Sequence, residues 1–312
     1  MAVDLNKVGA LIKEVFEEPW SDAMVRSNLL LDMFGTKKGQ GAEVRWKIHY
    51  GGNQSAGPYS ENDLIPEAGM QSYADARTPF KQNWVVVEVT GMAQAATRGG
   101  GAFKEVLGNE TKEALEDLKD RINDQLMAST ADVNGRAIHG IGYIVSDVGV
   151  YAGINRATHP WFGSFVLDNS GTPRPLTTFL MQQVIAEMEQ LDRKASIDLI
   201  IGNRVHYYQY GNTLQQFRQF QNVTTLDGGY KALDFEGMSF VSVPNLPVGV
   251  VYFLDKSTWN YYVLENFETK PKSTNKDSDR LIITHYSNLV CKNPGKNAKI
   301  IDLGTTFTAV GG

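Results

Sequence analysis

Histidine and cysteine, the residue types that most often bind transition metals, are few and scattered along this sequence. The histidines are His49, His139, His159, His206 and His285. No two of them have the spacing of a metal-ligand pair, and no His-Glu-x-x-His run occurs. The single cysteine, Cys291, lies in an apolar run and has no second cysteine with which to form a disulfide. We therefore predict no metal, no cofactor and a buried, unreactive Cys291.

Motifs for nucleophilic catalysis and phosphate binding are also missing from the sequence. No Gly-x-Ser-x-Gly elbow occurs, and Ser164 is interpreted as a loop residue, although a Ser-His-Asp trio can still assemble across a fold. Residues 98–101, Arg-Gly-Gly-Gly, precede a helix and could bind an anion through backbone N–H groups. The Lys-Ser/Thr pair of a phosphate-binding loop is missing there, so a hinge is favoured. We predict that the chain is not an enzyme.

Aromatic and basic clusters leave two further possibilities open. The aromatic clusters are Tyr207, Tyr208 and Tyr210, and Trp259, Tyr261 and Tyr262. They could stack on bases or sugars, although core or interface positions are favoured for such residues. A hydrolase or sugar-binding protein that uses residues 259–266 is therefore one alternative. Residues 269–299 are locally basic and could touch phosphates, but solvated loops explain the charge equally well.

Length and composition limit the class of protein further. The 312 residues include 30 Lys plus Arg and 35 Asp plus Glu, a net charge of -5, with 42% hydrophobic residues. These values are typical of a globular protein with one large domain or two smaller ones. The acidic balance argues against a dedicated nucleic-acid binder, so we expect any DNA contact to be weak and non-specific. Because neither a signal peptide nor a long apolar run occurs, we predict cytoplasmic synthesis and no membrane contact.

The first patterned segment is an amphipathic helix predicted over residues 4–16. Its apolar stripe includes Leu11 and Phe16, and Trp20 follows closely. A short helix of this kind needs another surface to cover its apolar side.

The next segment predicts a long two-stranded projection. Residues 43–50 alternate, with Trp46, Ile48 and Tyr50 on one face, and residues 83–90 form a second strand pattern that contains Trp84. About thirty residues with little periodicity lie between them, which is longer than most loops in compact domains.

A long helix and a mixed body follow the projection. An apolar stripe without proline predicts a helix over residues 103–129, about 40 Å long. Residues 138–161 are strand-like, and helices are predicted from Thr177 or Thr178 and over residues 205–220. Further strand patterns span residues 197–201, 233–243, 249–254, 259–266, 281–291 and 299–303. Strands and helices follow no regular βαβ order, so the predicted class is α+β.

This order of parts resembles the major capsid proteins of tailed double-stranded DNA bacteriophages, which have the Hong Kong 97 type fold. The shorter motifs that support the resemblance are Gly140-Ile141-Gly142, the run from Gly153 to Trp161, Gly202-Asn203, His285-Tyr286 and Asn293-Pro294. The resemblance implies an N-terminal arm (1–40), an extended β-hairpin loop (41–92), a peripheral domain (93–138 and 257–312) with a spine helix at about 103–129, and an axial domain (139–256).

The resemblance implies a structural function. Subunits would form hexamers and pentamers that close into an icosahedral shell around packaged DNA, in a virion assembled in the host cytoplasm. Portal, scaffolding and decoration proteins are the implied partners. The candidates for contacts between subunits are Trp46, Ile48, Tyr50, Tyr59, Leu64, Ile65, Trp84, Leu11, Phe16 and Trp20. Among them, Tyr59, Leu64 and Ile65 lie near the tip of the projection, while Trp46, Ile48, Tyr50 and Trp84, with Val86, are expected to support it.

Two departures from the family pattern carry expectations of their own. Some relatives join their subunits by an isopeptide bond from a lysine of the extended loop, yet residues 48–80 contain no lysine. We therefore expect no such crosslink. The sequence also begins without a long helical leader, so we expect a separate scaffolding protein. An encapsulin-like compartment shell, which shares the fold but loads enzyme cargo, is the nearest alternative.

Overall fold

A computed structural model describes residues 29–52, 61, 71–92, 102–129, 135–190, 195–214, 224–225, 231–243, 245–272 and 278–306. The helices are α1 (Leu29–Phe34), α2 (Ala102–Met127), α3 (Ile141–Ile144), α4 (Thr178–Gln190) and α5 (Arg204–Thr213). Single 3-10 turns lie at Pro160–Phe162, Lys256–Thr258 and Pro294–Lys296.

The strands fall into two large sheets and two short hairpins. They are β1 (Thr36–Lys38), β2 (Glu43–Gly51), β3 (Ser72–Pro79), β4 (Lys81–Thr90), β5 (Val150–Tyr151), β6 (Ile154–Asn155), β7 (Phe165–Leu167), β8 (Leu199–Gly202), β9 (Thr224–Thr225), β10 (Lys231–Phe235), β11 (Met238–Ser242), β12 (Val251–Leu254), β13 (Trp259–Lys272), β14 (Ser278–Cys291) and β15 (Ala298–Ile300).

The long helix α2 packs against a four-stranded sheet of order β1-β13-β14-β4. Its buried residues Leu115, Leu118, Ile122 and Leu126 recur at helical spacing, which places them on one side of the helix. The amide of Gln125 fixes the register of helix and sheet, since its Nε2 donates to Asn83 Oδ1 at 2.8 Å. The helix predicted at 103–129 is confirmed as α2. The prediction was reliable because an unbroken apolar stripe among charged residues is typical of a helix and of no other element.

The second sheet has seven strands in the order β7-β15-β12-β8-β11-β10-β9. Its central strands β8 and β12 are buried on both faces, as their unbroken apolar sequences require. Ile200 and Phe253 join the cluster that includes the buried residues of α4, while Leu199 and Tyr252 join the cluster that includes α2. This sheet therefore forms the wall between the two hydrophobic clusters of the subunit.

Two local predictions were wrong, and a third was correct only in part. The strand-like region 138–161 contains α3, two two-residue strands and a 3-10 turn, because its glycines and Pro160 interrupt any longer ladder. The basic segment 269–299 is a loop only in part: Lys270, Lys272 and Arg280 lie in β13 and β14, whereas Lys292 and Lys296 lie in the turn between β14 and β15. The strand predicted at 83–90 exists as β4, but β4 pairs with β14 rather than with β2.

Sheet membership departs from the predicted domain boundaries at two places. Strand β4 lies within the predicted extended loop and belongs to the four-stranded sheet. Strand β15 lies within the predicted peripheral segment and belongs to the seven-stranded sheet. Both departures arise from pairing between residues far apart in sequence, which a local pattern does not encode.

Candidate assembly interface

The projection is a two-stranded hairpin of β2 and β3, which are antiparallel. In β2 the larger apolar residues face the body, and in β3 the inward positions are occupied by Ala74, Ala76 and Thr78. Sequence reasoning missed β3 because small alanines give little hydrophobic contrast. The strict alternation of residues 73–78 was the signal that could have revealed it.

The root of the hairpin is held by the body of the same subunit. Ile48 and Ala76 are both buried. The Trp46 indole packs on the main core and donates from Nε1 to the carbonyl of Lys292 at 2.9 Å. This bond joins the hairpin to the end of β14, 246 residues away in sequence.

Three further hydrogen bonds fix β3. The buried amide of Asn288 donates from Nδ2 to Thr78 Oγ1 at 3.1 Å and to the Pro79 carbonyl at 2.8 Å. The backbone N–H of Arg77 donates to the carbonyl of Ala152 at 3.0 Å. The hairpin therefore leaves the body at an angle set by bonds on both strands.

Tyr50 marks the point where the hairpin leaves the body. Its ring stacks on Trp161, with centroids 4.8 Å apart and planes 7° apart, and His159 contacts both rings. Tyr50 still exposes 46% of its surface. An aromatic pair of this kind stabilises by about 0.5–1.5 kcal/mol beyond burial and leaves one ring face open to a partner.

The buried Arg156 organises the loop that receives the hairpin. Its guanidinium donates to the carbonyls of Val148 at 2.7 Å and Ile144 at 2.7 Å. It also lies 5.6 Å from the Tyr151 ring centroid, a cation–π contact. Because a guanidinium stays charged in a protein, these carbonyls supply the counter-dipoles that burial requires.

The remaining predicted contact residues fall into two groups. Trp84 lies on β4, outside the hairpin, with 65% of its surface exposed, so the expectation that it and Val86 support the projection does not hold in the subunit. The physical reason is the alternation along β4, which buries Asn83 and Val87 on one face and exposes Trp84 on the other. The residues outside the described ranges are Leu11, Phe16, Trp20, Tyr59, Leu64 and Ile65.

The groups that could carry chemistry have structural roles. Ser164 Oγ is buried and donates to the Pro294 carbonyl at 2.7 Å. Cys291 is fully buried, and burial raises the pKa of its thiol to about 12. Among the described residues, no group of three His, Cys, Asp or Glu side chains is arranged to hold a metal ion.

Three residues of the aromatic clusters, Tyr210, Trp259 and Tyr261, are buried in the core, whereas Tyr208 is exposed. Trp259 is buried, stacks on Phe34 at 5.0 Å, and donates from Nε1 to Asn297 Oδ1 at 2.9 Å. Tyr261 is buried and donates to Ser287 Oγ at 2.7 Å. Rings covered in this way have no free face for a sugar, which argues against the sugar-binding alternative.

The architecture defines the class of the protein. The subunit has a long helix on a four-stranded sheet, a seven-stranded sheet between two hydrophobic clusters, and a hairpin anchored to the body. Together these parts form the Hong Kong 97 type capsid fold, here an α+β fold of shell-forming proteins. The chain belongs to the SU10 major capsid protein family, whose sequence profile matches residues 83–304. It is a structural protein of the virion shell.

Solved structures show the same fold at low sequence identity. The chain is similar to the capsid asymmetric unit of cyanophage A-1(L), with TM-score 0.67, 14% identity, and coverage of 88% of this chain and 92% of that one. It is similar to the SrpI encapsulin of Synechococcus elongatus PCC 7942, with TM-score 0.59, 10% identity and coverage of 89% and 88%. For Mycobacterium phage Bobi the values are 0.57, 11%, 88% and 90%.

Neither curated sequences nor the helices add another class of protein. No curated protein sequence matches the chain significantly. Within the described ranges, no helix has the length and hydropathy needed to cross a membrane.

Proposed function

We propose that this major capsid protein assembles as hexamers and pentamers into an icosahedral shell around packaged double-stranded DNA. We further propose that its hairpin lies over an adjacent subunit. The observation that carries this proposal is the asymmetry of the hairpin: its inner face is bonded to the body, while its outer face exposes charged and aromatic side chains. A rigidly held projection with an exposed outer face is suited to contact a neighbour with little entropic cost.

The proposal includes the absence of enzymatic activity. The family supports a structural role. The buried positions of Ser164, Cys291 and Trp259 support it further, because a nucleophile or binding ring needs access to its substrate.

The proposed partners are those that a shell needs in order to form and to be filled with DNA. They are a separate scaffolding protein, a portal, a decoration protein on the outer surface, and non-specifically held DNA, with assembly in the host cytoplasm. A net charge of -5 supports weak DNA contact, since a strongly basic wall would retain the genome. We also retain the arm, extended-loop, peripheral and axial divisions as a proposal, with β4 and β15 reassigned by sheet membership.

Negative-stain electron microscopy with analytical sedimentation tests this function. The chain is expressed alone and together with its neighbouring genes. Closed shells, tubes or hexameric rings are expected, and uniform closed shells from the chain alone would contradict the separate scaffold. A small discrete particle under every condition would contradict the function itself.

Two further measurements distinguish the proposed shell from a covalently crosslinked shell and from an enzyme-loaded compartment. Mature particles should run as single subunits on a denaturing gel, since residues 48–80 contain no lysine; a covalent ladder would contradict this. Purified native particles should contain double-stranded DNA. Particles filled with an enzyme instead would favour the encapsulin alternative, whose fold similarity alone does not distinguish the two.

A further inference from the structure

Residues 302–306, which we call the strap, follow β15 and lie between two other segments of the subunit. The N–H of Leu303 donates to the carbonyl of Gly249 at 3.0 Å, and the N–H of Gly304 donates to the carbonyl of Arg174 at 2.8 Å. The N–H of Arg174 donates in turn to the Asp302 carbonyl at 2.9 Å. Leu303 is buried in the hydrophobic cluster that includes α4. The strap is therefore bonded to the body on both of its sides.

A pair of buried side chains on α5 binds the strap as well. Gln209 donates from Nε2 to the carbonyls of Gly304 at 2.8 Å and Thr306 at 3.0 Å. Its Oε1 lies 2.9 Å from Nδ1 of His206, which precedes it by three residues. The other ring nitrogen of His206, Nε2, accepts from the N–H of Gly249 at 2.9 Å. His206 thus contacts both groups that hold the strap, the Gln209 amide and the Gly249 backbone.

These bonds fix the protonation state of the His206 ring. A neutral imidazole carries its proton on one nitrogen only. Because Nε2 accepts from Gly249, the proton lies on Nδ1, and the ring donates it to Gln209 Oε1. The Gln209 amide is thereby oriented with its N–H groups toward the strap. Both ring nitrogens and both ends of the amide are satisfied by this one arrangement.

The surroundings of the ring supply little to stabilise a positive charge. Strands β8 and β11, against which α5 packs, contain no titratable residue, and neither do residues 243–250. Burial lowers the pKa of His206, against the opposing effect of its hydrogen bond to Gln209. The titratable residues on the elements around the ring are Arg204, Tyr207, Tyr208 and Tyr210 of α5, Asp234 of β10, and Arg174 and Asp302 at the strap.

These titratable groups are engaged elsewhere. The Asp302 carboxylate accepts from the N–H groups of Asn169 and Gly171 at 2.9 and 2.8 Å. The Arg204 guanidinium lies 5.8 Å from the ring centroid of Tyr208. The neutral ring is therefore the state that suits this site.

A second proton on the ring would break this arrangement. Protonated Nε2 becomes a donor that faces the N–H of Gly249, so the bond between them is lost. A buried charge without a counter-ion is costly, and the ring reaches water only by leaving its position. Its movement removes the acceptor of Gly249 and the donor that orients Gln209 at the same time.

We infer that His206 is an acid-sensitive latch: protonation of its ring releases the strap from Gly249 and Gln209 while the rest of the subunit stays folded. The release is local because the spine helix and the four-stranded sheet belong to the other hydrophobic cluster. The inference concerns the single subunit, so it stands or falls independently of the proposed function.

The latch should hold above about pH 6.5 and open progressively below it. A histidine exposed by opening has a pKa of about 6.5, whereas the latched ring has a lower one, so opening takes up a proton. The equilibrium constant for opening therefore rises by at most about tenfold for each pH unit below 6.5, until the pH reaches the pKa of the latched ring.

Amide hydrogen exchange of the full chain, read by mass spectrometry, tests the latch. Exchange is measured at pH 7.5, 6.5 and 5.0 and corrected for the pH dependence of the intrinsic rate, and sedimentation confirms the same assembly state at each pH. Peptides that contain Gly249 or Leu303 and Gly304 should lose protection by roughly tenfold or more between pH 6.5 and 5.0. Peptides from α2 should keep theirs.

Substitutions of His206 separate its charge from its hydrogen bonds. His206→Gln offers an oxygen to the Gly249 N–H and gains no proton, so the strap should stay protected at every pH. His206→Asn is too short to reach Gly249, so the strap should be unprotected at every pH. His139→Gln, which removes a histidine near α2, is the matched control and should keep the wild-type response of the strap. Circular dichroism confirms that each variant is folded.

Several outcomes would overturn the latch. Equal protection of the strap at pH 7.5 and 5.0 in wild type would exclude it. Simultaneous loss of protection in the strap and in α2 would show global acid unfolding instead. A folded His206→Gln variant that keeps the wild-type response, or a His139→Gln variant that loses it, would assign the response to another group. If His206→Gln does not fold, the wild-type and His139→Gln profiles still decide.

Discussion

At the scale of single residues, buried polar side chains join segments that are distant in sequence. Asn297 is fully buried, and its Oδ1 accepts from Asp255 N at 3.0 Å and from Trp259 Nε1 at 2.9 Å. Its Nδ2 donates to Thr258 Oγ1 at 3.3 Å and to the Asn293 carbonyl at 3.2 Å. One amide thereby ties the end of β12, the start of β13 and the turn before β15.

Replacement of this amide should be costly. Asn297→Ala leaves two buried N–H donors without an acceptor, so we expect the free energy of unfolding to fall by about 2–4 kcal/mol. Urea unfolding of the unassembled subunit measures this value. Gln182→Ala, which removes one exposed hydrogen bond to Glu236, is the control and should change it by less than about 0.5 kcal/mol. Equal effects of the two changes would contradict the role of Asn297.

Two buried histidines, His206 and His285, and the half-buried His139 make the subunit sensitive to acid. Burial, with Lys81 and Arg156 nearby, lowers the pKa of His139 to about 4. Burial lowers the pKa of His285 to about 4 against the opposing effect of Glu265. Burial also lowers the pKa of His206, whose Nε2 accepts from Gly249 N at 2.9 Å and so requires the neutral ring.

Stability should therefore fall as pH falls between about 6.5 and 4. In this range the unfolded chain binds protons that the folded histidines refuse, so the neutral rings contribute fully above pH 6.5 and progressively less below it. Each histidine can add a slope of at most about 1.4 kcal/mol per pH unit. Urea unfolding at several pH values measures the slope. His285→Phe and His139→Gln should each flatten it, and an unchanged slope in both would contradict the assignment.

At the scale of elements, the end of the spine helix sets the position of the segment that follows. A Cβ at Gly140 would meet the carbonyl oxygen of Ala128 and, at 2.7 Å, that of Gln125. The backbone of Gly142 donates to the same Ala128 carbonyl at 3.2 Å. The helix terminus is thus covered by a turn that allows no side chain at its closest point.

Two alanine substitutions should have opposite effects. Gly140→Ala forces backbone apart at the helix end, so we expect a clear fall in the thermal unfolding midpoint. Gly108→Ala lies within α2 with nothing within 4 Å of the added Cβ, and it should raise stability by about 0.5–1 kcal/mol. Differential scanning fluorimetry of both variants compares them directly. A tolerated Gly140→Ala would show that the turn can move.

At the scale of the whole molecule, the hairpin and the body have to act as one rigid unit if assembly depends on the hairpin. Trp46 provides this link through packing and its bond to the Lys292 carbonyl.

Trp46 variants separate packing from hydrogen bonding. Trp46→Ala should impair shell assembly more than it impairs subunit solubility, because a loosened hairpin must be ordered again on docking. Trp46→Phe keeps most of the packing and loses one hydrogen bond, about 0.5–1.5 kcal/mol, so its assembly defect should be smaller. Shell yield by electron microscopy, compared with soluble yield, measures both. Normal shell yield from Trp46→Ala would remove its supporting role.

Local pattern in the sequence was enough to predict the spine helix, the strand of the hairpin that carries Trp46, and most of the later strands. Each has a strong hydrophobic periodicity, and burial of one face follows from that period whatever the partner. The α+β class follows from the order of these segments. The family resemblance also rested on that order. The family is confirmed by the sequence-profile match over residues 83–304.

Only the tertiary structure decided which segments meet. It paired β2 with β3 instead of β4, placed β15 in the seven-stranded sheet, and exposed Trp84 on the other sheet. The pairing of β4 with β14 joins residues more than a hundred positions apart, from Ser278 with Thr90 to Ser287 with Lys81. In β3, small residues such as Ala74 and Ala76 give no local sign of their partners in β2. The charges of the hairpin and of α2 can be read in the sequence, but which side chains are exposed and which are buried is a property of the folded subunit.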